Sequence, residues 1–248
     1  MQAKDRILVA LDVPSIDEAL NVIETLAPHV GGFKVGPRLC IAAGAPDVVR
    51  TVRVGGGRVM LDLNLHDIPP TMAKAVRAAA KLGADFLTIH ESTGPKGIVE
   101  AVANCGETKI LGVTVLTSHA DMKYKQIFGH SAVEGVLQFA RWLAELGAAG
   151  IVCLPEELKL LHAERTFDRL LKVIPGIRPD WAATGDQQCV MTPGEAIRAG
   201  ADYLVIGRPI LKPPTGMTPI EAAQRIAEEI DAARRGVVHE RRTQGGDP

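Results

Sequence analysis

The stretch that decides the fold is RVMLDLNLHDIPPTMAKAVRAAAKLGADFLTIHE, residues 58–91. Its two ends, Arg58–Leu65 and Phe86–Glu91, are short apolar runs of the length typical of buried strands. Between them, Pro70–Leu82 carries apolar residues at helical spacing, and Gly83 follows at the position where helices end in a left-handed cap. This order of strand, helix and strand predicts two parallel strands joined by a helix.

The same unit recurs along the whole chain, with no linker rich in Pro or Ser to interrupt it. Ser15 offers a helix N-cap, and Gly147 and Gly200 again stand between a helical stretch and the next apolar run. The eight predicted strands are Arg6–Val13, Gly32–Gly36, Arg58–Leu65, Phe86–Glu91, Ile110–Leu116, Gly150–Leu154, Leu170–Ile177 and Tyr203–Ile210. The helices predicted between them include Ser15–Val30, Pro70–Leu82, Ser131–Leu146 and Thr218–Arg235.

Eight strand–helix units in 248 residues predict a single-domain (β/α)8 TIM barrel, because about 250 residues is the usual size of that fold. The barrel is expected to span residues 1–236. Residues 237–248 are polar and rich in Gly, which predicts a flexible tail. A doubly wound open sheet is the alternative, since it is built from the same units.

Composition excludes several classes of function. With 28 Lys+Arg against 29 Asp+Glu, the chain lacks the broad positive field that binding to nucleic acid requires. No stretch approaches the roughly 20 apolar residues of a membrane span, and Asp12 interrupts the first apolar run too early for a signal peptide. The four cysteines have neither CxxC nor metal-ligand spacing, which predicts reduced thiols in a cytoplasmic protein and no metal site. They are Cys40, Cys105, Cys153 and Cys189.

Polar residues interrupt or end most of these apolar runs. In a barrel, chemistry takes place at the C-terminal ends of the strands. Asp62 and Asn64 alternate with leucines, so they are predicted to face the barrel interior while the leucines face the helices. Lys34 lies inside a strand and requires a carboxylate partner, which Asp12 or Asp62 could supply. The other candidates are His66, Asp67, His90, Glu91, Thr114, Thr117, Arg178, Gly207 and Arg208.

Two loops predict a phosphate site. Pro175-Gly176-Ile177-Arg178-Pro179 follows the seventh predicted strand, and Ile206-Gly207-Arg208-Pro209 closes the eighth. Barrel loops at these positions often bind a phosphate through backbone N–H groups. Glycine lets the backbone approach an oxygen closely, and Arg208 adds a planar donor that matches the anion.

Taken in order, these motifs resemble the orotidine 5′-phosphate decarboxylase family over essentially the whole chain. The matching segments are LVALDVPS (8–15), GFKVG (32–36), DLNLHDIPPT (62–71), GVTVLTS (112–118), PGIRP (175–179), GDQQCVMTP (185–193) and YLVIGRPI (203–210). The resemblance implies conversion of orotidine 5′-monophosphate to uridine 5′-monophosphate and CO2 in pyrimidine synthesis. It also implies a homodimer that needs neither metal nor organic cofactor.

The resemblance also implies a role for individual residues. Asp62 and Asp67 match the two acids of the family signature Asp-x-Lys-x-x-Asp, and Asp67 is expected to reach the partner subunit's site. Asp12 and Lys34 are expected to contact the ribose and the charge network, Ile68 and Thr71 to face the partner, and Thr117 to contact the pyrimidine. The residues expected to bind the phosphate are Arg178, Gln187, Gly207 and Arg208.

One departure from the family pattern concerns the chemistry directly. The lysine between the two acids, which in the family stabilises and protonates the carbanion, is Asn64 here. An amide carries no charge and cannot deliver a proton at neutral pH, so the sequence predicts a loss of at least about 10³ in rate. A second departure is Cys189, at a position that is commonly basic.

The sequence leaves several alternatives open. Asn64 is either an introduced substitution or a natural loss of the lysine. The function could instead be that of a sugar-phosphate isomerase or aldolase on the same barrel. A third hypothesis is a non-catalytic homologue that binds nucleotides.

Overall fold

A computed structural model describes residues 1–114, 121–182 and 191–244 of the chain. Within these residues eight parallel strands close into a barrel in sequence order, with β1 paired to both β2 and β8. The fold is therefore a (β/α)8 TIM barrel and not an open sheet. The strands are β1 (Ile7–Ala10), β2 (Gly32–Val35), β3 (Arg58–Leu65), β4 (Phe86–His90), β5 (Lys109–Val113), β6 (Gly150–Val152), β7 (Leu171–Ile174) and β8 (Tyr203–Ile206).

Helices alternate with the strands around the barrel. Ser15 caps the first helix by accepting the Glu18 N–H at 3.3 Å, and Gly83 ends the fourth with a left-handed φ of 84°, as the sequence predicts. The described helices are α1 (Ile16–Leu26), α2 (Pro37–Ala43), α3 (Ala45–Val54), α4 (Pro69–Leu82), α5 (Gly94–Ala103), α6 (Asp121–Phe128), α7 (Ala132–Glu145), α8 (Leu158–His162), α9 (Pro193–Arg198), α10 (Arg208–Leu211) and α11 (Pro219–Gln244).

The strands bury apolar side chains on both faces. One cluster fills the barrel interior and includes Leu8, Met60 and Phe86. A larger cluster lies between the strands and the helices, and Leu61 belongs to it with the other leucines of β3 packed against it. The leucines therefore face the helices, as predicted, and the alternate positions of β3 face the interior.

Some boundaries differ from the sequence prediction. The eighth strand is predicted to reach Ile210, but β8 ends at Ile206 and α10 begins at Arg208. Pro209 explains the difference, because proline suits the first turn of a helix and lacks the N–H that a central strand needs. At the C-terminus α11 continues to Gln244, past the start of the predicted tail, whose flexibility stays a prediction.

Candidate active site

Three charged side chains meet at the C-terminal ends of the first three strands. Lys34 lies on β2, and its Nζ is 3.6 Å from Asp12 Oδ1 and 3.3 Å from Asp62 Oδ2. The Lys34 and Asp62 side chains are only 15% and 20% exposed. The structure thus supplies the carboxylate partners that a lysine within a strand requires.

Thr88, which sequence analysis overlooks, fixes the orientation of Asp62. Its buried side chain lies on β4, where Oγ1 donates a hydrogen bond to Asp62 Oδ1 at 2.9 Å and accepts one from the Asn64 N–H at 2.9 Å. The signal in the sequence is a hydroxyl residue inside the apolar run Phe86–His90. Because one hydroxyl serves both neighbours, it couples the position of the acid to the backbone at Asn64.

Asn64 has an unusual backbone conformation. Among the described residues it is the one non-glycine with positive φ, at 48°, and the pairing of β3 with β4 shifts register between Leu61 and Leu65. Asparagine adopts left-handed conformations more readily than most side chains. The side-chain Oδ1 of Asn64 is buried and has no hydrogen-bond partner among the described residues. An acceptor is therefore available at the position that the family signature gives to lysine.

A cavity of about 200 Å³ lies beside these groups in the mouth of the barrel. Lys34, Asp62 and Asn64 form its polar edge. The rest of its lining is mainly apolar and comprises Met60, Val113, Val152, Cys153, Leu154, Pro175 and Val205. A small apolar cavity with polar groups along one edge suits a planar heterocyclic ring. We call it the ring cavity.

A second cleft, of about 240 Å³, continues from the ring cavity toward β7 and β8. Arg178, Gly207 and Arg208 line it together with Gly176, whose φ of 77° favours glycine. Lys34, Asp62, Pro175 and Val205 line both spaces, which are therefore contiguous. The cleft brings together three of the four residues predicted to grip phosphate, and its two guanidinium groups give it the charge to hold an anion. We call it the basic cleft.

Backbone contacts with Met191 fix the segment of the basic cleft that carries Arg178. Arg178 is only 7% exposed, and its N–H donates to the Met191 carbonyl at 2.9 Å. The adjacent residue, Ile177, forms a β-bridge with Met191. Residues 183–190, which include Gln187 and Cys189, lie outside the described residues, so these two predictions stay untested.

Glu157 is a buried acid that sequence analysis also misses. Its Oε2 accepts the Leu154 N–H at 2.8 Å and the Thr114 hydroxyl at 3.5 Å. Removal from water raises the pKa of Glu157 to about 7, although both hydrogen bonds oppose the shift. Burial also raises the pKa of the neighbouring Cys153 thiol well above its usual range. A carboxyl group with a pKa near 7 is therefore hydrogen-bonded to Leu154, which lines the ring cavity.

The remaining predicted residues of the signature lie at the rim of the barrel. Asp67 is exposed, and its Oδ1 accepts the Ile68 N–H at 2.7 Å. Ile68 is 64% exposed, and Thr71 is exposed on the first turn of α4. None of the three lines the ring cavity or the basic cleft. Thr117, the predicted pyrimidine contact, lies outside the described residues.

Two other kinds of feature are absent from the described residues. No group of three or more His, Cys, Asp or Glu side chains there is arranged to hold a metal ion. Of the helices that the structure describes, none combines the length and the apolar character needed to cross a membrane.

Fold and site together define a barrel with a charged mouth that opens into a basic cleft. The family model described as "Orotidine 5'-phosphate decarboxylase / HUMPS family" matches residues 5–226. The chain therefore belongs to the orotidine 5′-phosphate decarboxylase / HUMPS family.

Individual relatives agree with this assignment. The orotidine 5′-phosphate decarboxylase of Rhodopseudomonas palustris (strain BisB5) is 43% identical, over 93% of this chain and 96% of the relative. That of Gloeothece citriformis is 41% identical, over 91% and 97%. The crystal structure of orotidine 5′-phosphate decarboxylase from Lactobacillus acidophilus superposes with a TM-score of 0.78 at 33% identity, covering 91% of this chain and 98% of that one. These names favour the decarboxylase over the sugar-phosphate enzymes that share its barrel.

Proposed function

We propose that this chain binds pyrimidine nucleoside 5′-monophosphates and decarboxylates orotidine 5′-monophosphate slowly, because it lacks a lysine between its two signature acids. In this proposal the phosphate lies in the basic cleft, the pyrimidine in the ring cavity, and the ribose between them beside Asp12 and Lys34. The observation that carries it is the contiguity of the two spaces through Lys34 and Asp62. A nucleotide needs that arrangement, since its anion and its ring are joined by one sugar.

In this proposal each group has a part in the reaction. Binding of the phosphate by Arg178 and Arg208 holds the base against the charged edge, so that binding energy far from the reacting carbon supports the chemistry. Asp62, held by Thr88, stands close to the carboxylate that leaves. The bond between C6 and the carboxyl carbon breaks, CO2 departs, and the electron pair stays on C6 until a proton arrives.

Asn64 limits this last stage. The amide offers neither a positive charge to stabilise the carbanion nor an acidic proton to quench it, and Lys34 is already paired with two carboxylates. Loss of one electrostatic stabiliser costs about 10²–10³ in rate, and loss of a general acid about 10²–10⁴. Because one group supplies both effects, the losses are not additive, and we expect a deficit of at least about 10³.

Restoring the lysine tests this proposal. Asn64→Lys is expected to raise the rate of orotidylate decarboxylation, followed by loss of its absorbance, by at least about 10³. Asn64→Gln is the matched control, since it lengthens the side chain without adding charge and should give no gain. The lysine must adopt the left-handed backbone now held by asparagine, at a cost of about 1–2 kcal/mol, so thermal unfolding of each variant is measured alongside. A folded Asn64→Lys variant that binds orotidylate but is no faster than the starting protein would contradict the proposal.

Two further parts of the proposal concern assembly and location. The exposed positions of Asp67, Ile68 and Thr71 at the barrel mouth support a homodimer in which these residues face the partner's site. Sedimentation velocity should give twice the 26.4 kDa mass of the chain, whereas a monomer at micromolar concentration would contradict it. The widely spaced cysteines support a location in the reducing cytoplasm.

A further inference from the structure

One ammonium group serves two carboxylates beside the ring cavity. Its described lining contains one carboxylate, Asp62, and one cation, Lys34. The same Lys34 ammonium also faces a second carboxylate, Asp12, at 3.6 Å. In the proposed placement the phosphate occupies Arg178 and Arg208 in the basic cleft, so an anionic group in the ring cavity would meet two carboxylates and one ammonium, a local excess of negative charge.

Asn64 does not relieve this excess. It lies on the polar edge where the family signature has a lysine, and its amide is neutral. Its buried Oδ1 already lacks a donor among the described residues. The amide NH2 can donate a hydrogen bond to a carboxylate, but it supplies no positive charge to offset Asp12 and Asp62. A buried charge without a partner is costly, and a like charge nearby adds to the cost.

Orotidylate and uridylate differ in the charge of the pyrimidine ring. They share the ribose and the phosphate, so the basic cleft treats them alike. Orotidylate carries an ionised carboxylate on C6 of its ring, whereas uridylate has a hydrogen there and an uncharged base. The ring cavity alone can tell them apart.

We infer that Asn64 sets a ligand preference: the ring cavity selects nucleotides whose pyrimidine is uncharged, and it binds uridine 5′-monophosphate more tightly than orotidine 5′-monophosphate. This inference rests on the proposed placement of the nucleotide. It goes beyond slow turnover, because it makes the protein a binder of the uncharged nucleotide even where no chemistry follows. The expected preference is at least tenfold in dissociation constant.

The test compares equilibrium binding of the two nucleotides to the full-length chain by titration calorimetry, with chromatography to verify that orotidylate stays intact. Ribose 5-phosphate serves as the probe of the basic cleft alone. The starting protein should bind uridylate at least tenfold more tightly than orotidylate. Asn64→Lys should reverse the order or remove the preference, and Asn64→Gln, which leaves the charge unchanged, should keep it. Ribose 5-phosphate should bind all three proteins equally.

A second variant keeps the inference testable if Asn64→Lys does not fold. Asp62→Asn removes the carboxylate from the other side of the cavity while keeping a side chain of similar size, so it should bring orotidylate affinity at least several-fold closer to that of uridylate. Equal affinities for the two nucleotides in the starting protein would overturn the inference and leave the proposed placement intact. Failure to bind either nucleotide or ribose 5-phosphate would overturn both. A preference that persists unchanged in both Asn64→Lys and Asp62→Asn would also overturn the inference.

Discussion

Replacing Glu157 by glutamine should make the protein more stable at alkaline pH. Burial raises the pKa of Glu157 to about 7 from the ordinary 4.5, so the folded state retains the proton over a range in which the unfolded chain has lost it. The stability that this group contributes is fully present below about pH 4.5 and is lost as the pH rises through about 7. This rise in the pKa of Glu157 corresponds to about 3 kcal/mol in free energy of unfolding, at 1.36 kcal/mol per pH unit.

The assay is urea unfolding at pH 5 and pH 8. Glutamine keeps an oxygen that can accept from the Leu154 N–H and the Thr114 hydroxyl, but it never ionises. At pH 8 Glu157→Gln should exceed the starting protein by about 1–3 kcal/mol in free energy of unfolding, with most of the difference gone at pH 5. Glu24, which is exposed on α1 and is not among the groups that shift the pKa of Glu157, provides the matched control, because Glu24→Gln should leave the pH dependence unchanged. Identical pH dependence in Glu157→Gln and the starting protein would refute the reasoning.

Two more predictions concern the basic cleft and the link between β3 and β4. Arg208→Ala should weaken uridylate binding by roughly tenfold to a hundredfold, since a charge-assisted hydrogen bond contributes about 1.5–3 kcal/mol. Binding of uridine, which has no phosphate, should barely change when both ligands are compared by calorimetry. Equal losses of affinity for the two ligands would place the phosphate elsewhere. Thr88→Val should lower the free energy of unfolding by about 1–3 kcal/mol, because it leaves the buried Asn64 N–H and an Asp62 carboxylate oxygen without their partner. In urea titrations Thr88→Ser, which keeps the hydroxyl, should retain most of that stability. A valine variant as stable as the serine variant would count against the role of the Thr88 hydroxyl in joining Asp62 to Asn64.

The strands could be predicted from the sequence because their apolar runs are buried on both faces. Each of the eight predicted strands overlaps one that the structure describes. The error at the last strand is instructive, because Pro209-Ile210-Leu211 is as apolar as the strand before it. Burial alone does not distinguish a strand from one helical turn, and the backbone restriction at Pro209 decides the outcome.

The site was only partly accessible from sequence. The pairing of Lys34 with Asp12 and Asp62 follows from the cost of burying an ammonium, and the structure contains it. Thr88 and Glu157 could not be found in this way, because their importance depends on which strands are neighbours and how deeply each side chain is buried. The left-handed φ of Asn64 was equally hidden, since the sequence shows a strand and not the shift in register that bends it.

A crystal structure of this chain with uridine 5′-monophosphate tests the central claim most directly. The account predicts that the phosphate contacts the Arg208 guanidinium and the Gly207 backbone, and that the uracil ring fills the cavity between Asp62 and Cys153 with its C6 edge toward Asn64. A phosphate bound outside this cleft, or a ring that leaves the cavity empty, would contradict it.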